Sequence, residues 1–338
     1  MSKALIIACQ YPNFSCKLNG CYNDADNFIN CLRKIDPLIK IINMRDNLSK
    51  TNLLYPTKKN ILRELNNLSQ AKENLLFLFY SGHGTQIKDS NKDEQSIKNT
   101  QIGSIIANLQ SDLQDSCMVS NDIKSLNLVV DDDIYKCLIK LRANQKLYAF
   151  MDSCFSGTVL DLCYVNVANY QTPFVNTNIS LLTNESITNC TLASSNYPNK
   201  INMIKSNIIL LSGTRDNTYS YESSINGKVA GHFTQNLIKL LDFGINNLTL
   251  KQFYLTIVGL INDKKQIPVL TTSLNLDLDS IYMTDLIYKK NKIKPLVNKS
   301  LSISISKSKS ISKSKKNKNV PKLKMNIILL LKNRKIFH

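Results

Sequence analysis

Short unbroken apolar runs alternate along this chain with stretches whose apolar residues recur every three or four positions. The runs Ala4–Cys9, Leu38–Ile42, Asn74–Tyr80, Leu147–Met151, Ile208–Leu211 and Ile267–Thr272 predict six strands, most of them buried on both faces. Between them, Tyr22–Ile35 places Ala25, Phe28, Ile29 and Leu32 on one helical face, with Asp24 and Asp26 in the first turn where the helix dipole favours acids. Pro56-Thr57 opens a second helix with Ile61, Leu62, Leu65 and Leu68 inward. A third starts at Asp131-Asp132-Asp133 and runs to about Ala143, and two more cover Gly231–Phe243 and Thr249–Asn262. The opening βαβαβ rhythm predicts an α/β fold with a mostly parallel sheet covered on both sides. Two polar spans, 85–128 and 165–207, break it and read as loop excursions, the first a long loop or hairpin over the active edge.

Charge changes the picture at the C-terminal end. The formal net charge is +18, yet residues 288–338 hold 16 of the 43 basic side chains and none of the 25 acidic ones. Residues 1–287 therefore carry 27 basic against 25 acidic groups, a net +2. The chain divides into a nearly neutral body, 1–287, and a basic Ser/Ile/Lys tail, 288–338, whose composition builds no core and predicts disorder. Such a tail suits polyanions, either nucleic acid or an anionic membrane surface, and adds nuclear import as a possible destination. Nine cysteines, an odd number without a C-x-x-C pair among Cys9, Cys16, Cys21 and Cys31, point to reduced thiols in the cytoplasm rather than a disulfide frame or a zinc site. No charged start with a following apolar stretch predicts a signal peptide.

Chemistry concentrates where two of the buried strands end. One runs into Ser81-Gly82-His83-Gly84, and the other, 71 residues after His83, into Asp152-Ser153-Cys154 ahead of Ser156-Gly157. A thiol attacks as thiolate and needs a nearby imidazole to take its proton. If the strands are sheet neighbours, His83 and Cys154 face one crevice, with the backbone N–H groups of Gly84 and Cys154 available to an oxyanion. A buried thiol beside a loop histidine is the alternative on spacing alone.

The blocks Tyr80-Ser81-Gly82-His83-Gly84 and Asp152-Ser153-Cys154-Phe155-Ser156-Gly157 closely resemble the two signature motifs of metacaspases. Asn19–Ala25, Pro56–Ile61, Val130–Asp133, Ser212–Asp216 and Gly231–Thr234 resemble further family blocks in the same order, so the resemblance covers about residues 3–273. It implies a caspase-like three-layer α/β/α sandwich with a six-stranded, mostly parallel sheet. It also implies a cysteine endopeptidase, a monomer without a redox cofactor, with His83 as base and Cys154 as nucleophile.

By motif matching, Cys21, Asp24, Ser81 and Asp152 fall on the family's specificity pocket. Two buried carboxylates select a cation, so cleavage after Arg or Lys is expected. Asp115, Asp131, Asp132 and Asp161 match a calcium site beside the cleft, and oxygen-only ligands suit that ion, although Asp131 and Asp132 also read as helix-capping acids. Departures are Phe155, where many relatives have His, Thr218, where Gln is usual, and Lys92-Asp93-Glu94, a reduced form of an acidic motif. No proline-rich segment or zinc finger precedes the first strand. A catalytically silent scaffold on the same fold is the competing reading.

Overall fold

Each apolar run meets the backbone's demand for hydrogen bonds by pairing with another, and the order of pairing decides which strand ends meet. The computed structural model describes residues 1–88, 114–122, 127–168, 187–188, 203–216, 218–225, 227–243, 248–261 and 266–283. The tail 288–338 and Lys92-Asp93-Glu94 lie outside the described residues. In chain order the elements are β1 (Ser2–Ala8), α1 (Cys21–Ile35), β2 (Lys40–Arg45), α2 (Lys58–Ser69), β3 (Leu75–Ser81), β4 (Gly84–Lys88), β5 (Gln114–Val119), β6 (Leu128–Val130), α3 (Asp131–Leu138), β7 (Lys146–Asp152), β8 (Tyr164–Ala168), β9 (Ile187–Thr188), β10 (Asn207–Ser212), β11 (Glu222–Ile225), β12 (Lys228–Gly231), α4 (His232–Phe243), α5 (Leu250–Ile261) and β13 (Val269–Thr272).

The main sheet has the order β2-β1-β3-β7-β10-β13-β8-β9. The six expected strands are its first six, and all pairs from β2 to β10 are parallel. Two differences appear. β13 runs antiparallel to β10, and the sheet continues through β8 and β9, which come from the span read as a loop excursion. The edge of β13 leaves backbone groups to be paired, and Tyr164–Ala168, a short apolar stretch at the head of a span rich in Asn, Ser and Thr, supplies the partner. The span 85–128, read as a long loop or hairpin, carries the antiparallel pair β4 and β5, which β6 at its end extends into a separate three-stranded sheet.

Alternation along the central strands sends their side chains to two cores. Ala4, Ile6, Phe77, Phe79, Tyr148 and Phe150 pack with α1, α4 and α5 on one face. Leu5, Ile7, Leu76, Leu78, Leu147 and Ala149 pack with α2 and α3 on the other. The result is the expected three-layer sandwich. α2 is capped by Thr57, whose Oγ1 accepts the Asn60 N–H at 3.2 Å. α3 ends at Leu138, short of the expected Ala143, because the Lys140 and Leu141 amides turn back to residues only three earlier. Gln145 then closes the turn, its Oε1 accepting the Arg142 N–H at 2.7 Å. Among the described residues no helix is long and apolar enough to cross a membrane.

Candidate active site

β3 and β7 are direct parallel neighbours, with Ser81 opposite Asp152. The chain therefore delivers His83 and Cys154 two residues beyond the same rung. The Gly82 N–H reaches the Asp152 carbonyl at 3.4 Å, and the start of β4 lies against the nucleophile's own backbone. A Cβ at Gly84 would sit 1.8 Å from the carbonyl oxygen of Cys154, so only glycine permits this approach. The backbones of Gly84 and Cys154, the two expected oxyanion donors, are thus in contact.

Burial pushes the Cys154 thiol above its ordinary pKa, and the Asp152 carboxylate adds repulsion. A hydrogen bond from the Ser220 N–H to Sγ, 3.3 Å long, opposes both. The thiol is consequently protonated at neutral pH and needs a base. His83 Nε2 lies 2.6 Å from the carbonyl oxygen of Cys16. A carbonyl only accepts, so Nε2 carries the proton and Nδ1 is left as the proton acceptor. His83 and Cys154 line one cleft of about 100 Å³.

The same cleft is lined by Cys21, Asp24, Ser81 and Asp152, all four of the expected specificity residues. Asp24, in the first turn of α1, accepts the Ser81 hydroxyl at 2.9 Å and the Gly231 N–H at 2.9 Å. Asp152, the last residue of β7, accepts the Thr234 N–H at 2.9 Å and its hydroxyl at 2.7 Å, and the Ser220 hydroxyl as well. A Cβ on Gly231 would lie 2.0 Å from Asp152 Oδ2 and 3.1 Å from Asp24 Oδ2, so both carboxylates converge there. Burial first, then repulsion from Asp152, raises the Asp24 pKa well above the usual carboxylate range. Asp152 is raised too, by burial, against the hydrogen bonds it accepts. Cys21 is a buried thiol raised by desolvation.

Several contributors gave no sequence signal. Glu222 on β11 is a third acid of the cleft, and its carboxylate accepts the Asn19 N–H at 2.9 Å and the Gly20 N–H at 2.5 Å. Gly20 caps α1 without a side chain of its own, so Glu222 serves that helix start from two hundred residues away. Ser220, Thr234 and Gly231 position Cys154 or the two aspartates. Only a block resemblance around Gly231–Thr234 hinted at the last two, and nothing hinted at Ser220. His232, at the start of α4, stands near enough to Asp152 to lower its pKa.

The four expected calcium ligands are placed differently from one another. Asp131 accepts the Ser116 N–H at 2.6 Å and the Asp132 N–H at 2.9 Å, which joins the start of α3 to β5 beside Asp115. Its neighbour Asp133 pairs with Lys58 at 2.8 Å. Asp161, with φ of 51°, stands near Asp216, whose pKa burial lifts to about 7 with a further push from Asp161. Asp216 accepts the Thr158 N–H at 3.0 Å. Among the described residues no three His, Cys, Asp or Glu side chains are gathered to hold a metal ion. Asp131 thus serves the start of α3 through the Ser116 and Asp132 amides.

Comparison with known proteins bears on the same segment. The family model "Metacaspase, peptidase C14 domain" matches residues 2–163. Metacaspase-1 of Eremothecium gossypii is 35% identical over 172 residues, 48% of this chain and 33% of that one. Metacaspase-1 of Plasmodium falciparum is 32% identical over 169 residues, 48% of this chain and 25% of that one. Metacaspase-1 of Kluyveromyces lactis is 28% identical over 269 residues, 71% and 58%. The chain thus spans about a third of the length of the first of these relatives and a quarter of the second. A solved structure from Geobacter sulfurreducens has the same fold, with a TM-score of 0.52, 21% identity, and coverage of 83% of this chain and 97% of that one. By this family match and these relatives, residues 2–163 carry a metacaspase-type peptidase C14 domain.

Proposed function

We infer that the chain is a cysteine endopeptidase that cleaves after Arg or Lys. His83 Nδ1 takes the Cys154 proton, and Sγ attacks the scissile carbonyl carbon. The Gly84 and Cys154 N–H groups hold the resulting oxyanion. The imidazolium returns its proton to the leaving amine, and a thioester remains. A water molecule that gives its proton to His83 hydrolyses that thioester, and the thiol is restored. Asp24 and Asp152 receive the cationic side chain before the scissile bond, with Glu222 at the mouth. Two repelling carboxylates buried together are relieved by a cation, and a substrate Asp would meet only repulsion.

The observation that carries this reading is the single cleft lined by His83, Cys154 and the pair Asp24 and Asp152. A fluorogenic peptide ending in Arg, compared with one ending in Asp, tests it on wild type, Cys154→Ala and His83→Ala. Runs with added calcium and with chelator read any cation effect separately. Turnover of the Arg peptide by wild type alone is expected, and equal turnover by all three proteins would sink the reading.

A further inference from the structure

His83 lies in a two-residue link between β3 and β4, so neither strand's ladder fixes it. Two tyrosines do. Tyr11 and Tyr80 are fully buried, and their hydroxyl oxygens are 3.2 Å apart beneath this link. The His83 N–H donates to Tyr11 Oη at 3.1 Å, and Tyr80 Oη donates to the His83 carbonyl at 2.6 Å. Tyr11 Oη in turn donates to the Val119 carbonyl at 2.6 Å, and the Val119 N–H reaches the His83 carbonyl at 3.0 Å. Tyr80 Oη also lies 3.1 Å from the Val119 carbonyl, so the two hydroxyls share two carbonyl acceptors while the His83 N–H can only give. Burial pushes both phenols far above their ordinary pKa, which keeps them neutral donors.

Three further contacts show how closely the link is built on these hydroxyls. The Tyr11 ring packs against the imidazole with centroids 4.9 Å apart and planes at 30°. A Cβ on Gly82 would come 2.7 Å from Tyr80 Oη and 3.0 Å from Tyr11 Oη, so the glycine before His83 is shaped to the pair. Tyr11 itself has φ of 52°, a strained conformation for a bulky residue, and is held in it from outside the cleft. Asp46, one residue past β2, accepts the Tyr11 N–H at 2.7 Å and the Gln10 N–H at 3.0 Å. It also accepts the Tyr22 hydroxyl at 2.5 Å and the Asn121 side-chain amide. The loop so anchored continues to Cys16, whose carbonyl holds Nε2.

We propose that Tyr11 and Tyr80 are positioning residues that clamp the His83 backbone from both sides, and that Asp46 holds Tyr11 in place for it. The imidazole is set by a buried hydroxyl pair under its main chain as well as by the Cys16 carbonyl at its tip. The proposal rests on the dyad reading, because positioning matters only if His83 serves Cys154.

Alkylation by iodoacetamide, read at Cys154 by peptide mass spectrometry, reports the dyad without needing substrate turnover. Rates are measured between about pH 6 and 9.5 on the full chain. Tyr11→Phe and Tyr80→Phe each keep the ring and remove one hydroxyl. Both are expected to slow alkylation at pH 7 on the order of tenfold, towards the rate of His83→Ala, while KM for the Arg peptide changes less than about twofold. Tyr254→Phe removes an equally buried hydroxyl, bonded at 3.0 Å to the Pro268 carbonyl in the other core, and is expected to lose stability without moving the alkylation profile. If His83→Ala differs from wild type but neither tyrosine variant does, or if Tyr254→Phe moves the profile equally, the clamp is refuted and the dyad stands. If His83→Ala matches wild type, the dyad reading fails and the clamp with it. Should one tyrosine variant not fold, the other alone decides.

Discussion

Replacing Gly84 by Ala inserts a methyl group where the base strand and the nucleophile loop touch. The added Cβ would stand 1.8 Å from the Cys154 carbonyl oxygen, against the 3.4 Å at which ordinary van der Waals contact begins. The obstacle is backbone, which no rotamer change relieves, so the two segments must part by about 1.6 Å. Oxyanion donors work at about 2.7–3.1 Å, and a displacement of roughly 1 Å costs about 10²-fold in rate. The expected outcome is a fall in kcat of at least about 10²-fold, with KM for an Arg peptide nearly unchanged because Asp24 and Asp152 lie on other segments. Overpacking of this kind also costs about 1–3 kcal/mol of stability, or several degrees in Tm. Steady-state kinetics with active-site titration, together with a thermal melt, read both effects. Gly259→Ala is the comparison, since a Cβ there meets nothing within 4 Å and sits in a helix, where Ala is favoured. A Gly84→Ala enzyme with kcat within about threefold of wild type and an unchanged Tm would refute the reasoning.

Asp24→Asn keeps an acceptor for the Ser81 hydroxyl and the Gly231 N–H but removes one charge of the pocket. kcat/KM for Arg peptides should fall on the order of 10²-fold with the melt intact, and a change under about threefold would exclude Asp24 from specificity. Glu222→Gln removes a more exposed charge, so a smaller loss, about fivefold, is expected together with a weaker salt dependence of kcat/KM. Asp216 has a folded pKa of about 7 against an ordinary value of 3.8, so its contribution to stability is full below about 3.8 and is lost as pH rises through 7. Asp216→Asn should therefore gain in Tm relative to wild type between pH 5 and 8, measured in chelator, and a pH-independent difference would contradict the assignment.

The parts of this molecule that could be read from its sequence are those whose residues carry their own periodicity or chemistry. Leu75–Ser81 and Lys146–Asp152 are apolar enough to be central strands in any context, and the acid, thiol, imidazole and glycines at their ends mark the edge where they stop. Their neighbourhood was conditional at the sequence level and became definite only with the register that sets Ser81 opposite Asp152. β13 declared itself as a strand but not as an antiparallel one, since direction is set by the connection and not by the residues. The hairpin of β4 and β5 was one of two readings of its span, whereas β6, β8 and β9 were hidden because strands of two to five residues are defined by their partners. Glu222, Ser220 and Asp46 were hidden for a related reason. Each acts through backbone amides or side chains brought from distant parts of the chain, and nothing local distinguishes it from a solvated polar residue. The acidic residues marked for calcium were legible as acids, but the Ser116 amide that Asp131 accepts from β5 at the start of α3 was not.

The central claim is that Cys154, served by His83, attacks the carbonyl that follows an Arg or Lys side chain held by Asp24 and Asp152. Its most direct test is reaction of the full chain with a peptidyl-Arg chloromethyl ketone and with its Asp counterpart, followed by peptide mass spectrometry across all nine cysteines. The account predicts one adduct, on Cys154, formed with the Arg ketone, slowed in His83→Ala and Asp24→Asn, and scarcely formed with the Asp ketone. An Arg adduct on another cysteine in preference to Cys154, or equal labelling of Cys154 by both ketones, would contradict it.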